Sequence, residues 1–335
     1  MNKALAYLEF IHFLLDPESS ELKQQVERAC AQNPWFTSAD YLVAINNIRN
    51  NLLDKSELKE LQANYPTVQK ASRIGLVLAG NIPLVGMHDV VCSILSGNHL
   101  VVKLSEKDSS VFNYLFGQLH QQFPETQSMF RLVDRLSDFD AVIATGSNNS
   151  SRYFEYYFGK YPHIIRKNRN AVAILTGNET SEDLSALGRD VYQYYGLGCR
   201  NVSKLYVPKD YDFVPLLEQL RAHGRVIDHP KYKNNYDYNL ALTILNKQAY
   251  MTNESLIFLE DEQIASRIAT IHYATYDDLN MLKRHLLERK DNIQCVVSKS
   301  SVPPFDHIAF GHAQMPGLLD YADGVDTMQF LTSLA

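Results

Sequence analysis

The chain of 335 residues has few cysteines, and none of them forms a pair that would indicate a metal site or a disulfide framework. The four cysteines lie at positions 30, 92, 199 and 295 and show no C-x-x-C spacing. Cys92 and Cys295 stand in apolar runs, which predicts core positions, and Cys30 stands in a predicted helix. Cysteines without a pairing pattern are typical of a reducing compartment, so we expect a cytoplasmic protein with no metal centre.

Signals of several other protein classes are also missing. Glu9 and His12 interrupt the apolar residues at the N-terminus and no small-residue cleavage site follows, so no signal peptide is expected. No uninterrupted run of about 18 apolar residues is present, which argues against a membrane span. The formal net charge is −6 and no basic run occurs, so nucleic acid is not an expected partner. The G-x-G-x-x-G fingerprint of a conventional Rossmann fold is absent as well.

An alternation of short apolar segments with helical patterns is what the chain does contain. Residues 3–63 show apolar residues at helical spacing and predict a helical cover, after which the strands begin. The pattern predicts a helix over 83–96 and another over 181–195 that ends at Gly196. The predicted strands cover 74–79, 100–104, 140–145, 171–175, 202–207, 268–273 and 293–297. Short buried strands between helices indicate an α/β fold with parallel sheets, and the length suits about two domains.

The segment YYGLGCRN at 194–201 contains the strongest candidate for a catalytic residue, Cys199. Two glycines permit a tight turn between a predicted helix and a predicted strand, and they leave the thiol uncrowded. The adjacent Arg200 favours the thiolate over the thiol. This arrangement is typical of a cysteine nucleophile, although a buried structural cysteine is the alternative.

A second candidate, Asn81, lies in AGNIPL between the first predicted strand and the helix predicted over 83–96. Ligands of open α/β folds bind at the carboxyl ends of the strands, where this residue is expected. Its side-chain amide would then donate to a developing oxyanion. The alternative is that Asn81 only caps the helix, since asparagine is a favoured N-cap residue.

Two further motifs follow the second and third predicted strands. Lys103, Ser105 and Glu106 supply a cation and hydrogen-bonding groups where the sugar of a dinucleotide would lie, unless they form only a solvated strand end. Thr145-Gly146-Ser147 joins a strand to a helix N-terminus, where backbone N–H groups and the helix dipole favour a pyrophosphate.

Taken in their order along the chain, from Asn81 through the Lys103 motif and the Thr145-Gly146-Ser147 turn to Cys199, the four motifs resemble those of the aldehyde dehydrogenase superfamily. The resemblance covers about 74–207 and is closest to the acyl-CoA reductase branch, the family of the fatty acid reductase of bacterial luminescence. It implies an aldehyde dehydrogenase-like fold, with two parallel-sheet α/β domains and a helical N-terminal cover. It further implies a cofactor-binding domain, 1–166 plus about 311–335, and a catalytic domain, 167–310, that bears the nucleophile.

The resemblance also implies a role for each motif. Asn81 matches the oxyanion donor, the Lys103 motif the element that holds the adenosine ribose, and Cys199 the nucleophile. The Thr145-Gly146-Ser147 turn resembles the phosphate-binding turn, and Glu262 matches the glutamate that binds the nicotinamide ribose. Two departures stand out: the proline of the ribose element is missing, and IIRKNR at 164–169 lacks the glutamate with which hydrolytic members activate water.

The implied reaction is the NAD(P)H-dependent reduction of an acyl thioester, such as a fatty acyl-CoA, to the aldehyde through an acyl-enzyme on Cys199. Acyl-CoA or an acyl carrier would be the substrate, and an acyltransferase or synthetase a partner protein. Glu106 would repel a 2′-phosphate and favours NADH, whereas the resemblance favours NADPH, so both cofactors stay open. An acyl-phosphate reductase, which Arg200 keeps open, and a non-catalytic scaffold of an acyl-transfer complex are the alternative functions.

Overall fold

A computed structural model describes residues 3–66, 68–303, 305 and 307–334 of the chain. The chain forms two compact units. Unit 1 combines Met1–Asn168 with Pro316–Ala335, and unit 2 is Arg169–Met315. Both ends of the chain therefore belong to unit 1, and unit 2 is inserted between them.

Unit 1 begins with helices, as the apolar spacing predicts. The first four helices are α1 (Lys3–Leu14), α2 (Ser20–Gln32), α3 (Ser38–Asn47) and α4 (Lys55–Asn64). Thr37 starts α3 with a capping box, in which its hydroxyl accepts from the backbone N–H of Asp40 and the Asp40 carboxylate accepts from that of Thr37. Buried side chains of these helices, such as Leu8 and Tyr41, join one core with the strands of unit 1, which makes them the expected helical cover.

The sheet of unit 1 has five parallel strands in the order β3-β2-β1-β4-β5. The strands are β1 (Arg73–Val77), β2 (His99–Lys103), β3 (Phe130–Leu132), β4 (Ala141–Thr145) and β5 (His163–Arg166). The remaining helices of unit 1 are α5 (Met87–Ser96), α6 (Ser110–Gln122), α7 (Thr126–Met129), α8 (Asn148–Phe158) and α13 (Thr327–Thr332). Val77 pairs with Lys103 on one side and Ala144 on the other, so β1, β2 and β4 end at one edge.

The helix predicted over 83–96 begins four residues late, at Met87, and this part of the prediction is wrong. Leu84 has a φ of 55°, which no right-handed helix accommodates, and its backbone N–H donates to the buried carboxylate of Asp108 at 2.7 Å. Gly86 is the N-cap, and a side chain there would approach Leu78 to 2.7 Å. Asn81 therefore lies in a turn six residues ahead of α5.

Unit 2 contains a seven-stranded sheet in the order β12-β11-β6-β7-β10-β9-β8, parallel except for the β8–β9 pair. The strands are β6 (Asn170–Ile174), β7 (Val202–Pro208), β8 (Met251–Thr252), β9 (Ile257–Glu260), β10 (Thr270–Tyr276), β11 (Ile293–Ser298) and β12 (His307–Ile308). The helices are α9 (Ser181–Tyr192), α10 (Val214–Arg221), α11 (Pro230–Leu245) and α12 (Leu279–Glu288). The central strands β6 and β7 are buried almost throughout, which accounts for their apolar sequences.

The cysteines divide into core and non-core positions. Cys92 on α5 and Cys295 on β11 are buried, as their apolar surroundings predict. Cys30 on α2 and Cys199 are half-buried, and none of the four forms a disulfide. Among the described residues, no helix combines the length and apolar character that crossing a bilayer requires.

Candidate active site

The turn that carries Cys199 begins with an unusual backbone. Helix α9 ends at Tyr192, so the predicted end at Gly196 is wrong, and residues Gln193–Gly196 form a short 3₁₀ turn. Tyr194, Tyr195 and Gly196 have φ values of 53°, 58° and 74°. Left-handed tyrosines are rare, and each costs on the order of 1–3 kcal/mol unless the surroundings enforce it. Strain of this kind gathers at functional sites, and here it directly precedes Cys199.

Asn201 is the residue that enforces the turn. Its side chain is 2% exposed and its Nδ2 donates to the carbonyl oxygens of Asp190, Val191 and Gln193 at 3.1, 3.3 and 2.8 Å. Its Oδ1 accepts from the backbone N–H of Gly198 at 2.7 Å. One buried amide thereby ties the turn to the C-terminus of α9. Sequence reasoning gave Asn201 no role, because an asparagine in a glycine-rich turn looks like an ordinary turn residue.

Gly198 and Cys199 lie between this turn and the start of β7. A side chain at Gly198 would come within 3.0 Å of the Asn201 Oδ1 and 3.4 Å of the Gln314 Oε1. The glycine is therefore required by the close approach of two side-chain amides. Cys199 itself is half-buried, in contrast to the buried Cys92 and Cys295.

A second buried acid supports the same turn from the side of α9. The Asp190 side chain is 1% exposed, and its carboxylate accepts from the backbone N–H groups of Gly311 at 2.6 Å and Ala313 at 2.9 Å. Burial raises the pKa of Asp190 to about 6, and the two N–H donors oppose that shift. We call residues 310–315 the strap, because Asp190 fixes this segment to the end of α9. A charged residue between Leu187 and Val191 on the buried face of a helix is the sequence signal that could have identified Asp190.

A buried acid of unit 1, Asp108, supports the turn that contains Asn81. Asp108 is 1% exposed, and its two carboxylate oxygens accept from the Leu84 backbone N–H at 2.7 Å and the Tyr41 hydroxyl at 2.6 Å. Burial raises the pKa of Asp108 to about 6. Asn81 is exposed, and because Gly86 is the N-cap of α5, the alternative that Asn81 caps this helix is wrong. Sequence reasoning missed Asp108, although it follows the Lys103 motif directly.

The Lys103 motif lies against the Asn81 turn. Lys103 ends β2, Ser105 is half-buried and Glu106 is exposed. A side chain at Gly80 would come within 2.5 Å of the Ser105 Oγ, so the backbone before Asn81 passes directly over this hydroxyl. The structure thus brings these two predicted motifs together at the carboxyl edge of β1 and β2.

The Thr145-Gly146-Ser147 turn lies at the same edge, after β4. The Ser147 hydroxyl accepts from the backbone N–H of Ser150 at 3.3 Å and is the N-cap of α8. Gly146 has no room for a side chain, since a Cβ would lie 2.8 Å from both Ser150 and Phe154. Three of the predicted motifs therefore share one sheet edge in unit 1, with a helix N-terminus beside them.

Glu262 stands apart from the Cys199 turn within unit 2. Its side chain is 72% exposed, and its carboxylate lies 3.9 Å from the Nε2 of His285 on α12 and 4.0 Å from the Nη1 of Arg289, which directly follows α12. The Cys199 turn contacts α9 and the strap instead.

The loop around Glu262 is fastened by four side chains that each donate to one of four consecutive backbone carbonyls. Ser203 donates to Ile264 at 2.7 Å, His272 to Gln263 at 2.9 Å, Arg289 to Glu262 at 2.5 Å, and the buried Lys204 to Asp261. Burial lowers the pKa of Lys204 to about 8. Sequence reasoning missed Lys204, although a lysine within a largely apolar strand is a signal that could have identified it.

Two cations of segment 164–169, Arg166 and Lys167, form ion pairs within unit 1. Arg166 is buried, pairs with the carboxylate of Asp89 and donates to the Thr327 hydroxyl at 3.0 Å. Lys167 pairs with Glu155 at 2.8 Å on the surface. Arg166 and Lys167 are thus each paired with a carboxylate outside the segment, and the segment itself contains no carboxylate.

Comparison with known proteins places the chain in a family. Residues 44–215 match the family model of the acyl-CoA reductase LuxC. The long-chain acyl-protein thioester reductase of Aliivibrio fischeri is 25% identical over 197 residues, which are 52% of this chain and 40% of that protein. Reductase 2 of Photobacterium leiognathi is 21% identical over 230 residues, 63% and 48% of the two chains. The chain therefore spans less than half the length of these curated relatives.

Solved structures show the fold. An oxidoreductase from Marinobacter aquaeolei superposes with a TM-score of 0.72 at 10% identity, covering 94% of this chain and 79% of the other. Aldehyde dehydrogenase 21 of Physcomitrella patens has a TM-score of 0.68 at 14% identity, covering 88% and 72%. The NAD+ complex of the P. syringae indole-3-acetaldehyde dehydrogenase has a TM-score of 0.66 at 12% identity, covering 88% and 71%. The expected fold is confirmed: the chain belongs to the LuxC acyl-CoA reductase family and has the aldehyde dehydrogenase fold.

Proposed function

We propose that this chain reduces an acyl thioester to the aldehyde with a nicotinamide cofactor and uses Cys199 as the nucleophile. The observation that carries the proposal is the Cys199 turn, in which a half-buried cysteine follows a strained backbone that Asn201 fastens to α9. Membership of the LuxC family supports the reaction class. The curated relatives are named as long-chain acyl-protein thioester reductases, which favours a long acyl chain.

The first chemical step transfers the acyl group to the protein. The Cys199 thiolate attacks the thioester carbonyl, the carbon–sulfur bond to the carrier breaks, and the carrier thiolate takes up the proton that Cys199 released. Arg200, next in sequence, is the cation that we assign to this step, because a neighbouring positive charge would stabilise the attacking sulfur. The backbone N–H of Cys199 and the Asn81 side chain would donate to the oxygen on which negative charge develops.

The second step needs a reductant. NADPH or NADH, when bound, would supply a hydride to the acyl carbon, and Cys199 would then leave as the thiolate as the aldehyde forms. Polar groups at the sheet edge of unit 1 suit a dinucleotide: the exposed Glu106 carboxylate would accept from a ribose diol, and the N-terminal N–H groups of α8 would donate to a pyrophosphate. We assign this role to Lys103, Ser105, Glu106 and the Thr145-Gly146-Ser147 turn. Glu262 is assigned to the nicotinamide ribose on the resemblance alone, since its neighbours are His285 and Arg289 and not the Cys199 turn.

The two units then take different roles in this proposal. Unit 1 holds the cofactor and unit 2 carries the nucleophile. Fatty acyl-CoA and acyl groups on a carrier protein share the thioester that Cys199 would attack. An acyltransferase or synthetase is the kind of partner that would deliver the acyl group. The four cysteines without a disulfide fit a cytoplasmic location.

The direct test is a reductase assay with a long-chain fatty acyl-CoA and either NADPH or NADH. We expect aldehyde and free coenzyme A to appear in equal amounts as the reduced cofactor is consumed, and we expect Cys199→Ala to abolish the reaction. Cys30→Ala is the matched control, because Cys30 is also half-buried but lies on α2. Reduction of an acyl phosphate but not of the thioester would favour the semialdehyde-forming alternative, and no reaction with either substrate would favour a scaffold.

A further inference from the structure

The side chain of Gln314 lies beside the Cys199 turn. Gln314 belongs to the strap, and a methyl group on Gly198 would lie 3.4 Å from its Oε1 and 3.6 Å from its Nε2. Its carboxamide therefore packs against the backbone of the residue that precedes Cys199. No motif of the sequence suggested this neighbour, because Gln314 lies 115 positions after Cys199 in the chain.

The Nε2 of Gln314 is enclosed by protein and makes no hydrogen bond within the described part of the chain. A buried donor that has lost water without gaining a partner costs free energy, so native proteins satisfy nearly all such groups. The turn beside it shows the usual pattern, since the Nδ2 of Asn201 has three carbonyl partners. Gln314 departs from this pattern, because its Nε2 lies against the same turn without a partner among the described residues.

The position of Gln314 is enforced by several contacts of the strap. Asp190 accepts from the backbone N–H groups of Gly311 and Ala313, the latter directly before Gln314. Gly311 has a φ of 84°, and the Arg189 guanidinium occupies the space where its side chain would be, at 2.4 Å. The backbone that carries Gln314 is therefore fixed to the same helix end to which Asn201 fixes the turn before Cys199.

We propose that Gln314 is a further catalytic residue, whose Nε2 donates a hydrogen bond to the carbonyl oxygen of the acyl group on Cys199. The inference rests on the proposed function, because it assigns a partner to an acyl group that Cys199 has to bind. A neutral amide suits this role. It stabilises negative charge on the oxygen while the carbon–sulfur bonds form and break, and it leaves the aldehyde product uncharged and free to depart. The ligand that satisfies Gln314 is thus an acyl carbonyl.

The test compares the native protein with Gln314→Met, which has nearly the same size but no polar atom. Acylation of Cys199 by a long-chain acyl-CoA is followed by intact-protein mass over time. We expect the rate to fall about 10²–10³-fold, the usual loss for one oxyanion donor. The rate at which iodoacetamide alkylates Cys199 should stay at the native value. The melting temperature should not fall, because the substitution removes an unsatisfied buried donor. Gln248→Met, at an exposed position, is the matched control.

A second variant, Gln314→Glu, keeps an acceptor oxygen and removes both N–H donors, and it should also lose acylation. Acylation of both variants within twofold of the native rate would overturn the assignment. A slower alkylation of Cys199 in parallel with slower acylation would overturn it too, since Gln314 would then act only by holding the turn. A native protein that is not acylated contradicts the proposed function instead, so the two failures are distinguishable.

Discussion

Asn81 and Asn201 show how one residue type serves two purposes in this molecule. Asn201 is buried, and its side chain forms hydrogen bonds with the backbone of the Cys199 turn and the end of α9. Asn81 is exposed and is not the N-cap of α5. The sequence alone left Asn81 between a cap and an oxyanion donor, and the start of α5 at Met87 removes the first of these roles.

The account predicts that Asn81→Ala lowers the rate of Cys199 acylation about 10²–10³-fold, because one oxyanion donor is lost. The free energy of unfolding should change by less than about 0.5 kcal/mol, as is usual for a surface substitution. Acylation kinetics and urea denaturation measure the two effects. A large loss of stability with a native acylation rate would contradict the assignment.

Lys204 provides a pH-dependent prediction. Burial lowers its pKa from 10.5 to about 8, so between these values the unfolded chain binds more protons than the folded one. The contribution of Lys204 to the free energy of unfolding therefore rises with pH across this window. We expect the stability of the native protein relative to Lys204→Met to increase between pH 7.5 and pH 9.5 in urea denaturation. A constant difference would show that the lysine is not desolvated.

At the scale of elements, two buried acids hold two loops. Asp108 fixes the Asn81 turn and Asp190 fixes the strap, in each case by accepting backbone N–H groups of a segment distant in sequence. The local sequence does not show which distant segment such an acid holds. These contacts explain why the start of α5 was misplaced: Leu84 is held in a left-handed conformation by an acid 24 residues away.

For the strap, we predict that Asp190→Ala raises the rate of hydrogen exchange at residues 310–315, since the amides of Gly311 and Ala313 lose their acceptor. Exchange in β6 and β7 should remain slow. Asp320→Ala is a suitable control, because Asp320 also accepts from a backbone N–H, that of Gly317, but on the surface. Native protection of the strap in Asp190→Ala would show that other contacts hold it.

The strands that the sequence predicts are those with continuous apolar character, such as β1, β4 and β6. Helix α11 and strand β9 escaped prediction for different reasons. The sequence of α11 begins PKYKNNYDYN and shows little apolar periodicity, so packing rather than pattern determines it. β9 has only four residues, too few for alternation or length to distinguish a strand from a loop.

For the whole molecule, the order of the motifs along the chain predicted the fold through its resemblance to the aldehyde dehydrogenase superfamily. Three motifs follow strands of unit 1, and the Cys199 motif lies between α9 and β7. The sequence could not predict the residues that support the motifs: Asn201, Asp190, Asp108 and Gln314 act through tertiary contacts. Their residue types are common in surface loops, and only burial shows that they are structural or functional.

One consequence for the complete reaction is that aldehydes should not be oxidised to free acids at a useful rate. Hydrolysis of the acyl-enzyme needs a general base, worth about 10²–10⁴-fold in rate. Segment 164–169 contains no carboxylate, and the charge of Arg166 is matched by Asp89. With aldehyde and oxidised cofactor, we expect acyl-CoA when coenzyme A is present and little acid when it is absent. Rapid acid formation without a thiol would show that another residue acts as the base.

The central claim is that Cys199 accepts an acyl group, and the intact mass of the protein after mixing with a long-chain acyl-CoA tests it most directly. We expect a single added acyl group that maps to Cys199. It should persist in Cys30→Ala, be absent in Cys199→Ala, and be released as aldehyde when NADPH or NADH is added. An adduct that survives Cys199→Ala, or that maps to Cys30, Cys92 or Cys295, would contradict the account.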